Sequence, residues 1–168
     1  MIKKTQQWIS KLNLKPHPEG GFFSEVYRSD ETLLSTSLDE RYAGSRSVST
    51  SIYFLLEENQ FSAFHKIKSD ELWHFYDGSA IKLYLLSGDG KLEIKKLGIN
   101  IGENEVPQIT IPKNVWFAAE PIDKESFTLV GCTVAPGFDF NDFELAQRKI
   151  LLQKFPQHKD LIIRFTRT

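Results

Sequence analysis

The sequence predicts an all-β sandwich or barrel with a short helix near each end. Three observations lead there. Between Val48 and Val134 run eight short β-type segments, STSIYFLL, FSAFHKI, ELWHFYDG, AIKLYLL, KLEIKKLGI, QITIP, VWFAAE and FTLVGCTVA, at the close spacing of a sandwich or barrel. Asp77-Gly78, Gly88-Asp89-Gly90 and Gly102 supply the residues that tight hairpins with positive φ require. No helix-length apolar period interrupts the run, which argues against a βαβ fold.

The flanking segments follow in order. Residues 3–12 place Trp8, Ile9 and Leu12 at helical spacing with Thr5 as a cap, a short helix lying on the body. In KPHPEGGFF the density of Pro16, Pro18, Gly20 and Gly21 forbids helix or strand, so a loop sits there. A strand from Phe23 to Arg28 leads into a polar, mobile loop that runs to Arg46. After Pro136, Phe138, Phe140 and Phe143 alternate with acidic residues and read as anchors of the C-terminal segment. Glu144 to Phe155 can form a helix that Pro156 ends, and the tail DLIIRFTR reads as a last strand. One domain over 1–168 is expected, with its core at about 20–136.

Composition narrows the function. The 168 residues carry 21 Lys+Arg against 22 Asp+Glu, a net charge of −1, without the basic excess that nucleic-acid phosphates demand. Cys132 has no second thiol to pair with, MIKKTQQWISKLNL lacks the apolar stretch of a signal peptide, and no apolar run nears the roughly 20 residues that cross a bilayer. A soluble cytoplasmic protein is expected, with no membrane partner. Cys132 itself reads as a small buried hydrophobe.

Two of the four histidines, His65 and His74, fall in HKIKSDELWH together with Asp70 and Glu71. Imidazole and carboxylate are the usual acid–base pair and the usual metal ligands. Strand parity puts Glu71, Trp73 and Phe75 on one face and Leu72, His74 and Tyr76 on the other. His65 facing Glu71 across a hairpin is therefore expected. The plainer alternative makes His65 a hydrogen-bonded core residue, Glu71 a rim carboxylate, and His74 a surface or dimer contact.

The succession PHPEGGFFSEVYRS, STSIYFLL, FHKIKSDELWHFYDG, PQITIPKNVWFAAE and LVGCTVAPGFDFNDFELA resembles the cupin superfamily, and within it the small uncharacterised cupin-five family, from about Leu12 to Ala146. That resemblance implies a double-stranded β-helix, the cupin jelly roll, paired as a homodimer, with no settled activity. In the general cupin pattern His65 matches the first histidine, Glu71 the glutamate and Gly78 the glycine. Ile67 occupies the second histidine position, Asn114 that of a later glycine, and Phe117 that of the third histidine. With two of four ligands missing, no cofactor is expected; a divalent metal on His65, Glu71 and His74, or recruiting Gln108, is the weaker alternative.

The barrel is also similar to that of deoxysugar-nucleotide epimerases. By that likeness His65 is a base and Glu71 or Tyr53 its partner or proton donor. The HPEGG loop closes the barrel mouth, with His17 or Glu19 touching the ligand. Arg28, Arg41 and Arg46 are candidates for an anionic substrate group. Trp73, Tyr76, Trp116 and Phe117 could stack on a sugar or base ring, Phe117 more simply filling the barrel. The expected function is small-molecule binding in a pocket bounded by His65, Glu71, Trp73, Gln108 and Phe117, with epimerisation or isomerisation of a sugar or nucleotide sugar. A non-catalytic metabolite sensor or storage module and a metal-dependent enzyme are the alternatives.

Overall fold

The computed structural model describes residues 3–167. In chain order its elements are α1 (Lys4–Lys11), β1 (Lys15–Pro16), β2 (Phe22–Arg28), β3 (Thr32–Leu33), β4 (Arg46–Ser47), β5 (Thr50–Leu56), β6 (Ser62–Lys66) and β7 (Asp70–Gly78). There follow β8 (Ile81–Leu86), β9 (Leu92–Leu97), β10 (Gln108–Ile111), β11 (Trp116–Pro121), β12 (Thr128–Ala135), β13 (Glu144–Leu145), α2 (Arg148–Lys154) and α3 (Lys159–Arg164). All eight segments expected as strands are strands. Six strands in the order β1-β2-β5-β12-β7-β10 face five in the order β13-β6-β11-β8-β9, and β3 and β4 form a separate ribbon.

Alternation explains the layers. Phe54, Trp73, Ile109, Val130 and Cys132 from the six-stranded sheet meet Ile81, Leu83, Leu85, Phe117 and Ala119 from the other, forming the inner core. Many of the intervening positions are apolar too. Phe64, Tyr84, Leu86, Trp116 and Ala118 point outward from the five-stranded sheet and are covered by Leu151, Phe155, Ile162 and Phe165. Leu55 and Leu129 point outward from the six-stranded sheet and pack with Trp8, Ile9 and Leu12 of the N-terminal segment. Each fully buried Leu or Phe contributes about 1.5–3 kcal/mol, so both helical covers are integral to the fold.

Four local expectations change. The tail is not a strand but α3, because Ile162 and Phe165, three apart, fall on one helical face over the outer cluster. The preceding helix starts only at Arg148, since Glu144 and Leu145 pair with Lys66 and His65 as a strand. Thr5 lies buried inside α1 and Lys3 occupies the cap position, without a capping side-chain bond. The left-handed residue near Gly102 is Asn104 (φ 58°), whereas Gly78 and Gly90 have the positive φ expected of them. Among the described residues no helix is long and apolar enough to cross a membrane.

Candidate active site

A cavity of about 280 Å³ opens between the sheets. β7 contributes Glu71 and Trp73, β12 Cys132 and Val134, β5 Thr50, Ile52 and Phe54, and β6 His65. The register Val134↔Glu71 and Cys132↔Trp73 aligns these side chains on one inner face. β6 and β7 belong to different sheets, so His65 and Glu71 look at the cavity from opposite walls and not across a hairpin. The half-exposed Glu25, Arg28 and Phe140 stand at its mouth with Asp139.

The HPEGG loop enters the cavity and does more than cover it. Glu19 is buried, and its Oε2 stands 3.1 Å from His65 Nε2 and 3.3 Å from His17 Nδ1. The Ser62 hydroxyl donates to its Oε1 at 2.8 Å. His65 Nδ1 lies 2.8 Å from the Ala63 carbonyl oxygen, which can only accept, so Nδ1 carries a hydrogen. The proton between Nε2 and Oε2 then belongs to the His65–Glu19 pair, which titrates as a unit. Burial lowers the His65 pKa, against the charge of Glu19 and the Ala63 carbonyl. Burial alone would raise that of Glu19, but the charge of His65 and the contacts of His17 and Ser62 outweigh it, leaving the carboxyl below its ordinary value.

Glu71 is the opposite case. Among the described residues it forms no ion pair, and burial, reinforced by the negative charge of Glu19, pushes its pKa up to about 8. It is a neutral carboxylic acid at pH 7. Burial and the charges of Glu71 and Glu19 raise the Cys132 thiol well above its ordinary value, which keeps it protonated at neutral pH. Trp73 Nε1 acts on the Glu71 carboxyl without reaching hydrogen-bonding geometry. It is the one buried side-chain polar atom among the described residues with no hydrogen-bond partner, a deficit of about 1–3 kcal/mol.

Of the residues singled out in the sequence, His17, Glu19, Arg28, His65, Glu71 and Trp73 line this cavity. Phe117 stands behind His65, with ring centroids 4.0 Å apart. Tyr53, Tyr76, His74, Gln108, Trp116, Arg41 and Arg46 do not line it. Tyr53, between inward Ile52 and Phe54, points outward and packs near Tyr76 (5.9 Å). His74 lies between inward Trp73 and Phe75 and takes the outer face, opposite the exposed Gln108 on edge strand β10. Trp116 turns outward beneath α2 and α3, with Lys66 Nζ 4.5 Å from its ring.

Arg46 and Arg41 are committed elsewhere. Arg46 makes a buried two-point pair with Asp142 at 2.6 and 2.7 Å, and Arg41 donates to the Lys68 carbonyl. Arg28 at the mouth is itself held in two-point contact by Glu25 (2.9 and 2.7 Å) and donates to the Phe138 carbonyl. Sequence reasoning missed Glu25, Asp139 and Cys132 as cavity residues, and read Phe138, Phe140 and Phe143 as packing alone. Parity along β12 carries the signal for Cys132, which shares a face with Val130 and Val134. No local pattern carries it for the others.

The family model described as cupin superfamily (DUF985) matches residues 6–146. The chain belongs to this cupin family. An uncharacterized protein of Saccharomyces cerevisiae, YML079W, is 32% identical over 146 residues, spanning 82% of this cupin and 72% of the yeast chain. The crystal structure of protein SO0799 from Shewanella oneidensis is 37% identical with a TM-score of 0.88 over 99% of both chains. A hypothetical protein from Leishmania major is 30% identical with a TM-score of 0.87, covering 97% of this cupin and 98% of that chain. Oxalate decarboxylase from Bacillus subtilis shares the fold alone, at 12% identity and a TM-score of 0.55, over 94% of this cupin and 37% of that chain.

Proposed function

We propose that this cupin binds a sugar-sized metabolite in the cavity and moves a proton on it, as an epimerase or isomerase. The observation that carries the reading is a pair of carboxyls on one cavity whose surroundings push them apart: Glu19 toward its ionised form, Glu71 toward its neutral form. Such a split assigns base and acid. The base is the Glu19–His65 pair and not the imidazole alone, because both ring nitrogens of His65 are already bonded. Beside a substrate carbonyl, a C–H bond breaks and its proton passes to that pair. The C–H electrons form a C=C bond, the carbonyl oxygen takes the Glu71 proton, and return of a proton to carbon completes the exchange.

The volume, about 280 Å³, supports a sugar-sized ligand, being just below the roughly 300–1,000 Å³ of drug-sized pockets. A nucleotide would have to remain outside. Manganese, named for the Bacillus subtilis oxalate decarboxylase, does not fit these residues. Among the described residues no three His, Cys, Asp or Glu side chains are placed to hold a metal ion; Ile67 lines the cavity and Phe117 is buried against His65. Binding without turnover is the second reading, favoured by the full bonding of His65. Self-association as a homodimer belongs to the same proposal, supported by the half-exposed Tyr27 and Tyr76 on the outer face of the six-stranded sheet.

The test is solvent deuterium incorporation into free ketoses and aldoses. The protein is expected to catalyse exchange at the carbon next to the carbonyl, with the rate falling as pH rises through about 8, where Glu71 ionises. Glu71→Gln should lower the rate by about 10²–10⁴-fold while binding persists. Binding without exchange in the wild type would leave the sensor reading.

A further inference from the structure

The HPEGG turn holds the imidazole of His17 in place by one nitrogen and leaves the other free. The turn closes where the Gly20 N–H donates to the His17 carbonyl and the His17 N–H to the Gly21 carbonyl, both at 3.0 Å. Inside it the Glu19 backbone N–H donates to His17 Nδ1 at 3.4 Å, and Glu19 Oε2 lies 3.3 Å from the same nitrogen. Nδ1 is therefore an acceptor, and a neutral ring with that lone pair engaged carries its hydrogen on Nε2. Aromatic rings fix the other sides: Phe23 stands edge-on at 4.7 Å, Phe143 edge-on at 5.8 Å, and Phe140 stacked at 6.1 Å between centroids. All three line the cavity, as His17 does. The His17 side chain is only 7% exposed, yet nothing among the described residues bonds to Nε2. That nitrogen keeps open surface, since the one enclosed side-chain polar atom without a partner among those residues is Trp73 Nε1. The other nitrogens on the cavity wall are spoken for: His65 is engaged at both, and Glu25 fills the fork of Arg28.

We propose that His17 Nε2–H is the donor that receives the ligand's carbonyl oxygen in this cavity, a neutral imidazole acting as an electrophile. The proposal rests on the proton-transfer reading above and adds to it the group that polarises the carbonyl. Glu19 joins the two roles. Its backbone N–H sets the His17 tautomer, while its carboxylate, with His65, takes the proton from the neighbouring carbon. As that C–H bond breaks, its electron pair forms a C=C bond and negative charge moves onto the carbonyl oxygen. A hydrogen bond from Nε2 strengthens as the charge grows, and the surrounding phenyl rings keep water from weakening it, so the enediolate is held more tightly than the ketone. His17 keeps its hydrogen throughout.

Nitrogen NMR of ¹⁵N-histidine-labelled protein tests this without any change to His17. His74→Gln and His158→Gln, both outside the cavity, remove two of the four rings from the spectrum, and His65 declares itself by the Nδ1–H that meets Ala63. In its neutral form His17 is expected to show a protonated Nε2 and a bare Nδ1. Titration with D-xylulose should then move the Nε2–H proton downfield as it gains an acceptor, and xylitol, the same skeleton without the carbonyl, should bind at least tenfold more weakly. His17→Phe keeps a flat ring without the donor and should weaken D-xylulose about tenfold, the loss of one hydrogen bond. His17→Gln, whose amide N–H reaches the place of Nε2, should recover most of that loss. A hydrogen on Nδ1 with Nε2 bare overturns the proposal, and so does a Nε2–H signal that stays put while D-xylulose raises the thermal midpoint. Failure of D-xylulose to perturb the protein at all overturns it as well. Deuterium uptake judges the reaction separately: if His17→Phe exchanges as fast as the wild type, the reaction stands and His17 loses its part. If the Nε2–H signal moves but no deuterium enters the sugar, the donor stands and the reaction falls.

Discussion

Position 71 holds a carboxyl whose neighbours are an indole, a thiol and aliphatic walls, so folding favours its protonated form. The folded pKa of about 8 exceeds the ordinary carboxyl value of 4.5, and the native state binds the extra proton between those values. Stability from this group is full below about pH 4.5 and is lost as pH rises through about 8, on the order of 5 kcal/mol at most over that window. Glu71→Gln keeps a neutral, similarly shaped group. It is expected to flatten the decline between pH 5.5 and 9 in urea unfolding midpoints and to be the more stable protein at pH 9; a decline equal to that of the wild type would contradict the assignment. Parity made the inward turn of Glu71 and Trp73 legible in the sequence. The Glu19–His65 contact was not legible, because 46 positions separate the two and no local period links a loop carboxylate to a strand on another sheet.

At the level of elements, the HPEGG loop reads clearly as a turn, but its depth does not. Gly21 (φ +72°) is forced to be glycine twice over, since a Cβ there would sit 2.5 Å from the Leu55 carbonyl oxygen. The loop closes on itself through His17 N–H to the Gly21 carbonyl and is stitched to β6 by the Ala63 N–H, which donates to the Glu19 carbonyl. That stitch delivers the Glu19 side chain to His65. Gly21→Ala is expected to cost about 1–3 kcal/mol in unfolding free energy and to withdraw Glu19 from the cavity, seen as a shifted His65 titration in NMR. The eight strands were legible from alternation and turn residues. The sheet to which each belongs was not: the three residues between β6 and β7 serve a hairpin or a crossing between sheets equally well. The tail misled for a related reason, because Ile162, Ile163 and Phe165 satisfy a strand and a helix alike until a surface is present to pack on.

For the whole molecule, the near-neutral charge and the Phe-rich composition agree with three apolar layers, one between the sheets and one outside each. The outer face of the six-stranded sheet is only partly covered, with Tyr27 54% and Tyr76 51% exposed. If that face is the dimer contact, sedimentation equilibrium will show two chains per particle for the wild type and one for Tyr76→Arg, with the fold unchanged; a wild-type monomer at micromolar concentration would remove it. The sequence by itself determined the eight strands and the inward face of Glu71 and Trp73, since period-two alternation and turn chemistry are local and act before the chain is assembled, and the order of its motifs carried the resemblance to the cupin superfamily. The tertiary structure alone decided which polar groups meet. Only when the two sheets close and the glycine loop folds in do Glu19, His65 and Glu71 share one dry space, and the protonation of each is set by that shared burial and not by its neighbours along the chain.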